Sequence, residues 1–193
     1  MVGDVRSRLI AATAEIIDQR GPLAVRIDEV AELAGCSRAT VYRHVSDKDE
    51  LVREVLMTRT AVMAGIVAHQ IEHIADPLDR IAQGMLLFSD ALRSEHWFKA
   101  LQAHGGGGPS AMARVGGGLE AMTAALTPML EALLRDNAEA GYLYDDIVAH
   151  DAIEWLIGIQ LSLLEPHFQH PREHRLAMLK RYAIFPLIKP RAE

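Results

Sequence analysis

One cysteine, Cys36, stands alone in 193 residues. An intrachain disulfide and a cysteine-built zinc cage are therefore excluded, and a reducing, cytoplasmic setting is the expectation. No apolar run approaches 18 residues, so no membrane-spanning helix is expected. Met1 to Arg6 has no basic segment leading into an apolar one, so no secretory signal is expected either. No alternating polar–apolar pattern exceeds four residues, and no repeat period is present. Gly-x-Ser-x-Gly, P-loop and dinucleotide fingerprints are all missing, as are paired Glu-x-x-His motifs. What remains is half hydrophobic and 24% charged, ordinary globular material that excludes wholesale disorder.

Positive charge is also in short supply: 20 Lys and Arg against 26 Asp and Glu give a net charge of -6. That sum alone argues against a partner made of phosphates, but its distribution matters more. Residues 1–60 hold nine basic and ten acidic residues, so most of the acidity lies further along. Within Ser37–Lys48, Arg38, Arg43 and Lys48 face the single acid Asp47, leaving a local cationic patch.

Nearly every segment reads as helix. Val5, Leu9, Ala12 and Ile16 set a first amphipathic helix, stopped by Gly21-Pro22. Ile27, Val30, Ala31 and Ala34 mark a second, ended at Gly35. Ser37 caps a third that runs to about Val45, with Val41 and Val45 inward. Asp47 and Glu50 form an acidic capping box opening a fourth, which continues inward-facing through Leu51, Val55, Val62 and Ile66 towards Asp76-Pro77. Further helices are expected over Leu78–Leu92, Glu95–Ala103, Leu119–Asn137, Ile147–Leu164 and Arg172–Ile188. Ser110–Val115 is weak helix at best, and Pro128 should kink or break the helix that holds it. The glycine run Gly105–Gly108 lacks a following Lys-Ser/Thr and reads as a flexible loop. The expected fold is all-α in two blocks, a small head at 1–47 and a larger helical body at 48–193.

Val30 to His44 is a helix, a tight glycine turn and a second helix, the grammar of a helix-turn-helix. Ala31 and Ala34 let the second helix cross closely, and Val41 and Val45 pin it from below. Its outer face then offers Ser37, Arg38, Ala39, Thr40, Tyr42, Arg43 and His44 to base edges and phosphates in a major groove. Lys48, at the start of the next helix, suits a phosphate through its charge and the free backbone N–H groups there. Out of this context Arg38, Arg43 and His44 read as surface residues, Tyr42 as a core aromatic and Cys36 as a small buried filler.

The stretch Ala31 to Leu51, AELAGCSRATVYRHVSDKDEL, resembles the DNA-binding signature of the TetR (tetracycline-repressor) family. Its position after one amphipathic helix and the all-helical remainder resemble the family too. Ala39 stands where the family usually has Gly, Val45 where it has Phe, and Asp47 where it has Ser, an acid expected to weaken phosphate contact mildly. The family's Thr or Ser near the start of the second helix is replaced by Val25-Arg26, so Arg26 is expected to supply that phosphate contact. The resemblance implies a dimeric, ligand-responsive regulator of operator DNA, most simply a repressor, with no catalytic activity and no cofactor. The reading from a different class is a helical small-molecule-binding or metal-dependent enzyme without DNA binding.

Histidines carry little of that alternative. His69 and His73 have ligand spacing, and His167, His170 and His174 cluster around Pro171, but neither set gains a cysteine or carboxylate at ligand spacing, so no metal is expected. Met and aromatic side chains on glycine- and proline-broken helices suit an adaptable apolar cavity. The resemblance implies an effector pocket there. Its expected lining is Phe88, Trp97, Leu101, Met122, Leu126 and Trp155, with His104 or Tyr142 as a polar handle, for a small, mostly apolar effector. Ile147–Leu164 is apolar all round, with Gly158 permitting close approach, and the last helix adds Leu176, Leu179, Ala183 and Tyr182. One side must pack on its own domain and the other on a second copy, giving a homodimer.

Overall fold

The computed structural model describes residues 4–103, 112–165, 168 and 170–189. Helix α1 is Val5–Arg20, followed by a 3-10 turn, Pro22–Ala24. Next come α2 (Ile27–Leu33), α3 (Arg38–Tyr42), α4 (Lys48–Ile71), α5 (Pro77–Ser94) and α6 (His96–Ala103). Then follow α7 (Gly118–Glu139), α8 (Ala149–Leu163) and α9 (Arg172–Met178), the last prolonged by a π-helical stretch, Leu179–Ile184. Strand pairing among the described residues is a single bridge between Leu143 and Ile188. No described helix is long and apolar enough to cross a membrane.

The boundaries have local causes. Gly21, at φ 84°, ends α1 with its N–H on the Ile17 carbonyl at 2.9 Å, and the proline beyond cannot continue the helix. Gly35, at φ 64°, makes the turn between α2 and α3 in a region closed to most side chains. Ser37 Oγ accepts the Thr40 N–H at 3.1 Å, and Asp47 accepts the Glu50 N–H at 2.9 Å, satisfying donors the helix starts leave open. The reciprocal arm of the second cap closes one residue early, on the Ser46 N–H rather than that of Asp47.

One apolar core runs from Leu9 to Ile188 through head and body alike. The long helix α4 is its spine, with α7 packed along it most extensively and α1 and α5 on its other sides. Ion pairs fasten α9 and its extension to α5: Arg175 to Asp90 at 3.1 Å and Lys180 to Asp79 at 2.7 Å. Arg93 donates to the Leu163 carbonyl at the end of α8, and burial draws its pKa below the ordinary guanidinium value. Where α7 begins, Gly116 and Gly117 lie flush on the first turns of α4. A Cβ on Gly116 would overlap the Asp49 carboxyl group and stand 2.6 Å from its Cβ; one on Gly117 would stand 2.9 Å from Arg53 Cδ.

Several expectations change. Helix α3 stops at Tyr42, although Val45 is still buried. Helix α7 continues through Pro128 without a break. Val62 and Ile66 face outward, at 60% and 56% exposure, because α4 is apolar on two sides and packing buries Ala64, Val67 and Ile71 instead. Cys36 is half-buried against the core, not fully enclosed. His104, the glycine run Gly105–Gly108, the start of Ser110–Val115 and His167 lie outside the described residues.

Candidate nucleic-acid interface

Helix α3 is short, so its orientation depends on what holds its ends. Val41 and Val45 are buried beneath it, and Ala31 and Ala34 are buried where α2 crosses. The Ser37 cap fixes the start, and the Ser37 and Thr40 hydroxyls meet at 2.9 Å. The far end is gripped by Arg6, which donates to the His44 carbonyl at 2.8 Å, to Glu50 at 3.0 Å and to Glu54 at 2.6 Å. One α1 side chain thus ties the end of α3 to the start of α4. The hydrogen bond to Glu50, more than any other contact, raises the Arg6 pKa. In return the Ser46 backbone N–H first, and Arg6 second, hold the Glu50 carboxyl below its usual range.

The structure leaves the candidate DNA contacts exposed or half-buried around this support. Ser37, Arg38, Ala39, Tyr42, Arg43 and Lys48 are exposed, and Thr40 and His44 are half-buried. Arg26, exposed, precedes α2 at its N-cap. Arg38 is already occupied: it pairs with Asp28 of α2 at 2.8 Å, reaches the Tyr42 hydroxyl at 3.4 Å and stacks over that ring at 5.7 Å. Lys48 Nζ likewise pairs with Asp49 at 2.7 Å, and Arg20 pairs with Glu29. Arg43 and Arg26 have no ion-pair partner among the described residues. The face is therefore cationic side chains lightly bound to their own acids, pairs that are individually weak in water. A phosphate or a base edge can replace each carboxylate.

The expected effector residues divide. Phe88 of α5, Trp97 and Leu101 of α6, and Met122 and Leu126 of α7 are all enclosed in the core, none more than 2% exposed. Trp155 does not join them. It is 47% exposed on the outer side of α8 and donates its indole N–H to the Ala183 carbonyl at 2.9 Å. Helix α8 turns Leu156, Ile157 and Gln160 inward, which leaves Trp155 on the far side. Tyr142 is also misplaced as a handle. It follows the C-terminal end of α7 and pairs through its backbone with Asn137 and Lys189. At 1.5 Å per residue, Met122 and the end of α7 are about 25 Å apart, too far for one small ligand. Trp155 instead lines an apolar groove of about 230 Å³ with Ile159, Leu163, Met178, Leu179 and Tyr182. Among the described residues no group of three potential metal ligands gathers.

Arg6 and Asp28 were not legible as parts of this face. Arg6 is 38 to 48 residues from its partners, and no spacing pattern reveals such a contact.

Residues 9–55 match the family described as "Bacterial regulatory proteins, tetR family". An HTH-type transcriptional regulator of Mycobacterium tuberculosis, Rv1255c, is 23% identical over 187 residues, covering 95% of this chain and 85% of its own. Among solved structures, RolR without ligand superposes at a TM-score of 0.72, with 17% identity over 92% of this chain and 90% of its own. RolR has also been solved with resorcinol. FadR of Bacillus subtilis, in complex with stearoyl-CoA, superposes at 0.55, with 12% identity over 91% of this chain and 97% of its own.

Proposed function

The chain is a TetR-family transcriptional regulator, and on that premise we propose that it is a repressor that binds a near-palindromic operator as a homodimer and is released by a small, mostly apolar effector. The observation that carries the DNA half of this reading is the exposed face of α3, braced by the Ser37 cap and the Arg6 clamp. Arg38 and Thr40 read base edges. Arg43 serves a base or the backbone. Tyr42, His44, Lys48 and Arg26 hold phosphates. The head takes residues 1–47 and the body 48–193.

The dimer is supported by the outer faces of α8 and the last helix. Trp155 is 47% and Tyr182 70% exposed, with Val148 and Phe185 also open, an apolar surface that water tolerates poorly. Pairing these faces about a two-fold axis sets two α3 helices into successive major grooves, about 34–36 Å apart.

The effector reading rests on the enclosed cluster of Phe88, Trp97, Leu101, Met122 and Leu126, whose side chains offer dispersion contact and no charge. Neighbours of the same fold that hold resorcinol or stearoyl-CoA support an effector in this body. Helix α6 gives a route to the head. A Cβ on Gly21, at the end of α1, would stand 3.1 Å from Ala100 Cβ and 3.7 Å from the Trp97 carbonyl, so α6 cannot shift towards α1 without moving it. A hundredfold loss of operator affinity requires about 2.7 kcal/mol of effector preference for the released state.

The test is fluorescence anisotropy with DNA from upstream of the chain's own coding sequence, against a scrambled duplex. The expected result is a sequence-selective, salt-sensitive complex of two chains per site. Equal affinity for both duplexes at every promoter nearby refutes the reading.

A further inference from the structure

Trp97 is 2% exposed, and its indole N–H is buried with no hydrogen-bond partner. The rest of the interior does not behave this way. Buried Ser89 donates to the Met85 carbonyl and accepts from Gln160 at 2.7 Å. Buried Thr13 and Asn137 donate to the carbonyls of Leu9 and Leu133. Trp155, the other tryptophan, is bonded to Ala183. The remaining unpaired buried atoms are arginine Nε nitrogens, and Arg80, Arg93 and Arg175 each bond through other nitrogens of the same group. Trp97 has a single donor, and none of it is used.

A buried donor left unpaired costs stability, and a phenylalanine would fill much of the same space without that cost. The unpaired N–H sits in the cluster assigned above to the effector, on the helix that abuts Gly21. We propose that the effector carries a neutral hydrogen-bond acceptor, a carbonyl or ether-type oxygen on an otherwise apolar body, that takes the Trp97 indole N–H. The inference rests on the effector reading of this core. An indole N–H donates and never accepts, so a head group that only donates gains nothing here. The side chains of Phe88, Leu101, Met122 and Leu126 supply no cation, and Arg114 beside them already donates to the Leu101 carbonyl at 3.3 Å, so a carboxylate would have to break that bond to gain a counter-charge. A neutral oxygen escapes both objections.

The experiment uses the full chain with 15N-labelled tryptophan, whose two tryptophans give two indole N–H resonances. Trp97→Phe and Trp155→Phe assign them. The probes are two matched pairs, acetophenone with ethylbenzene and 2-acetylnaphthalene with 2-ethylnaphthalene, each differing by one carbonyl. Without probe, the Trp97 proton is expected at the high-field position of a non-bonded indole. Ketone moves it downfield and binds about tenfold more tightly than its hydrocarbon partner, while the Trp155 resonance stays in place. Trp97→Phe removes the difference within each pair, because the donor is gone. A low-field Trp97 proton in the free protein overturns the inference, because a buried water already takes the donor. So does a bound ketone that leaves that resonance unmoved. Binding of neither member of either pair, up to solubility, overturns the effector reading beneath it.

Discussion

Replacing Gly116 with alanine puts one methyl group into the seam between α4 and α7. Its carbon would overlap the Asp49 carboxyl group and lie 2.6 Å from Asp49 Cβ. Carbon–carbon contacts normally begin at about 3.5 Å, so the two segments must part by about an ångström. Rotating the Asp49 side chain cannot relieve this, since its Cβ is fixed to the α4 backbone. Overpacking of this kind costs about 1–3 kcal/mol. Alanine returns roughly 0.4–1 kcal/mol by restricting the unfolded chain, because Gly116 is not among the glycines with positive φ. The net loss is about 0.5–2 kcal/mol, and for a chain of this size the melting temperature falls by roughly 1–8 °C. Thermal unfolding followed by circular dichroism measures it. Asp49→Ala in the same chain removes the carboxyl group but keeps Cβ, so it restores part of the loss and not all. Gly65→Ala, on the open side of α4 with nothing within 4 Å, is the control and should stabilise by roughly 0.5–1 kcal/mol. An unchanged melting temperature in Gly116→Ala, or full recovery with Asp49→Ala, refutes the close seam.

Three further outcomes are expected. Arg38→Ala weakens operator binding by roughly ten- to a hundredfold and relaxes base preference, whereas Lys48→Ala weakens all duplexes alike and lowers the salt slope by about one; anisotropy titrations across salt separate the two, and a reversed pattern refutes the assignment. The Glu50 carboxyl is depressed in the fold, so its stabilisation is complete above the unfolded value near 4.5 and fades as pH falls through the lower folded value. Melting curves between about pH 5 and pH 3 should show that fall, and Arg6→Ala, costing about 1 kcal/mol at neutral pH after solvent screening, should make it shallower. Tyr182→Glu places a charge on the outer face of the last helix and should leave a monomer at micromolar concentration by light scattering, with folded helices by circular dichroism; a persisting dimer refutes that interface.

The head was legible because its signals are local. Ser37, Gly35, Asp47 and the Val41/Val45 spacing each act within a few residues, and the helices form where those signals place them. What escaped the sequence was orientation. Helices α4 and α8 are apolar on more than one side, so periodicity alone does not tell which side meets the core. That is why Val62, Ile66 and Trp155 were expected inside and lie outside. Tyr142 lies apart from the core cluster for a related reason: composition groups residues by type, while a rigid helix sets them apart by its length. The Arg38–Asp28 pair was hidden by the separation between its helices, since nothing in either segment names the other.

On the proposed reading, that pair, with Lys48–Asp49 beside it, bears on how long each random encounter with DNA lasts. A regulator with bare cations is soaked up by the chromosome, where random sites outnumber operators by about a million or more. Here Asp28 and Asp49 occupy the cations first, standing in for phosphates, so random DNA must displace a carboxylate to gain each contact. Random sites give back only a phosphate for that exchange; an operator gives base contacts as well. The two acids therefore subtract the same free energy from both complexes and leave the operator's advantage to its base contacts. Each random contact is weaker and is left sooner, so on the proposed reading the chromosome is searched faster than the same face with asparagines at positions 28 and 49 would allow.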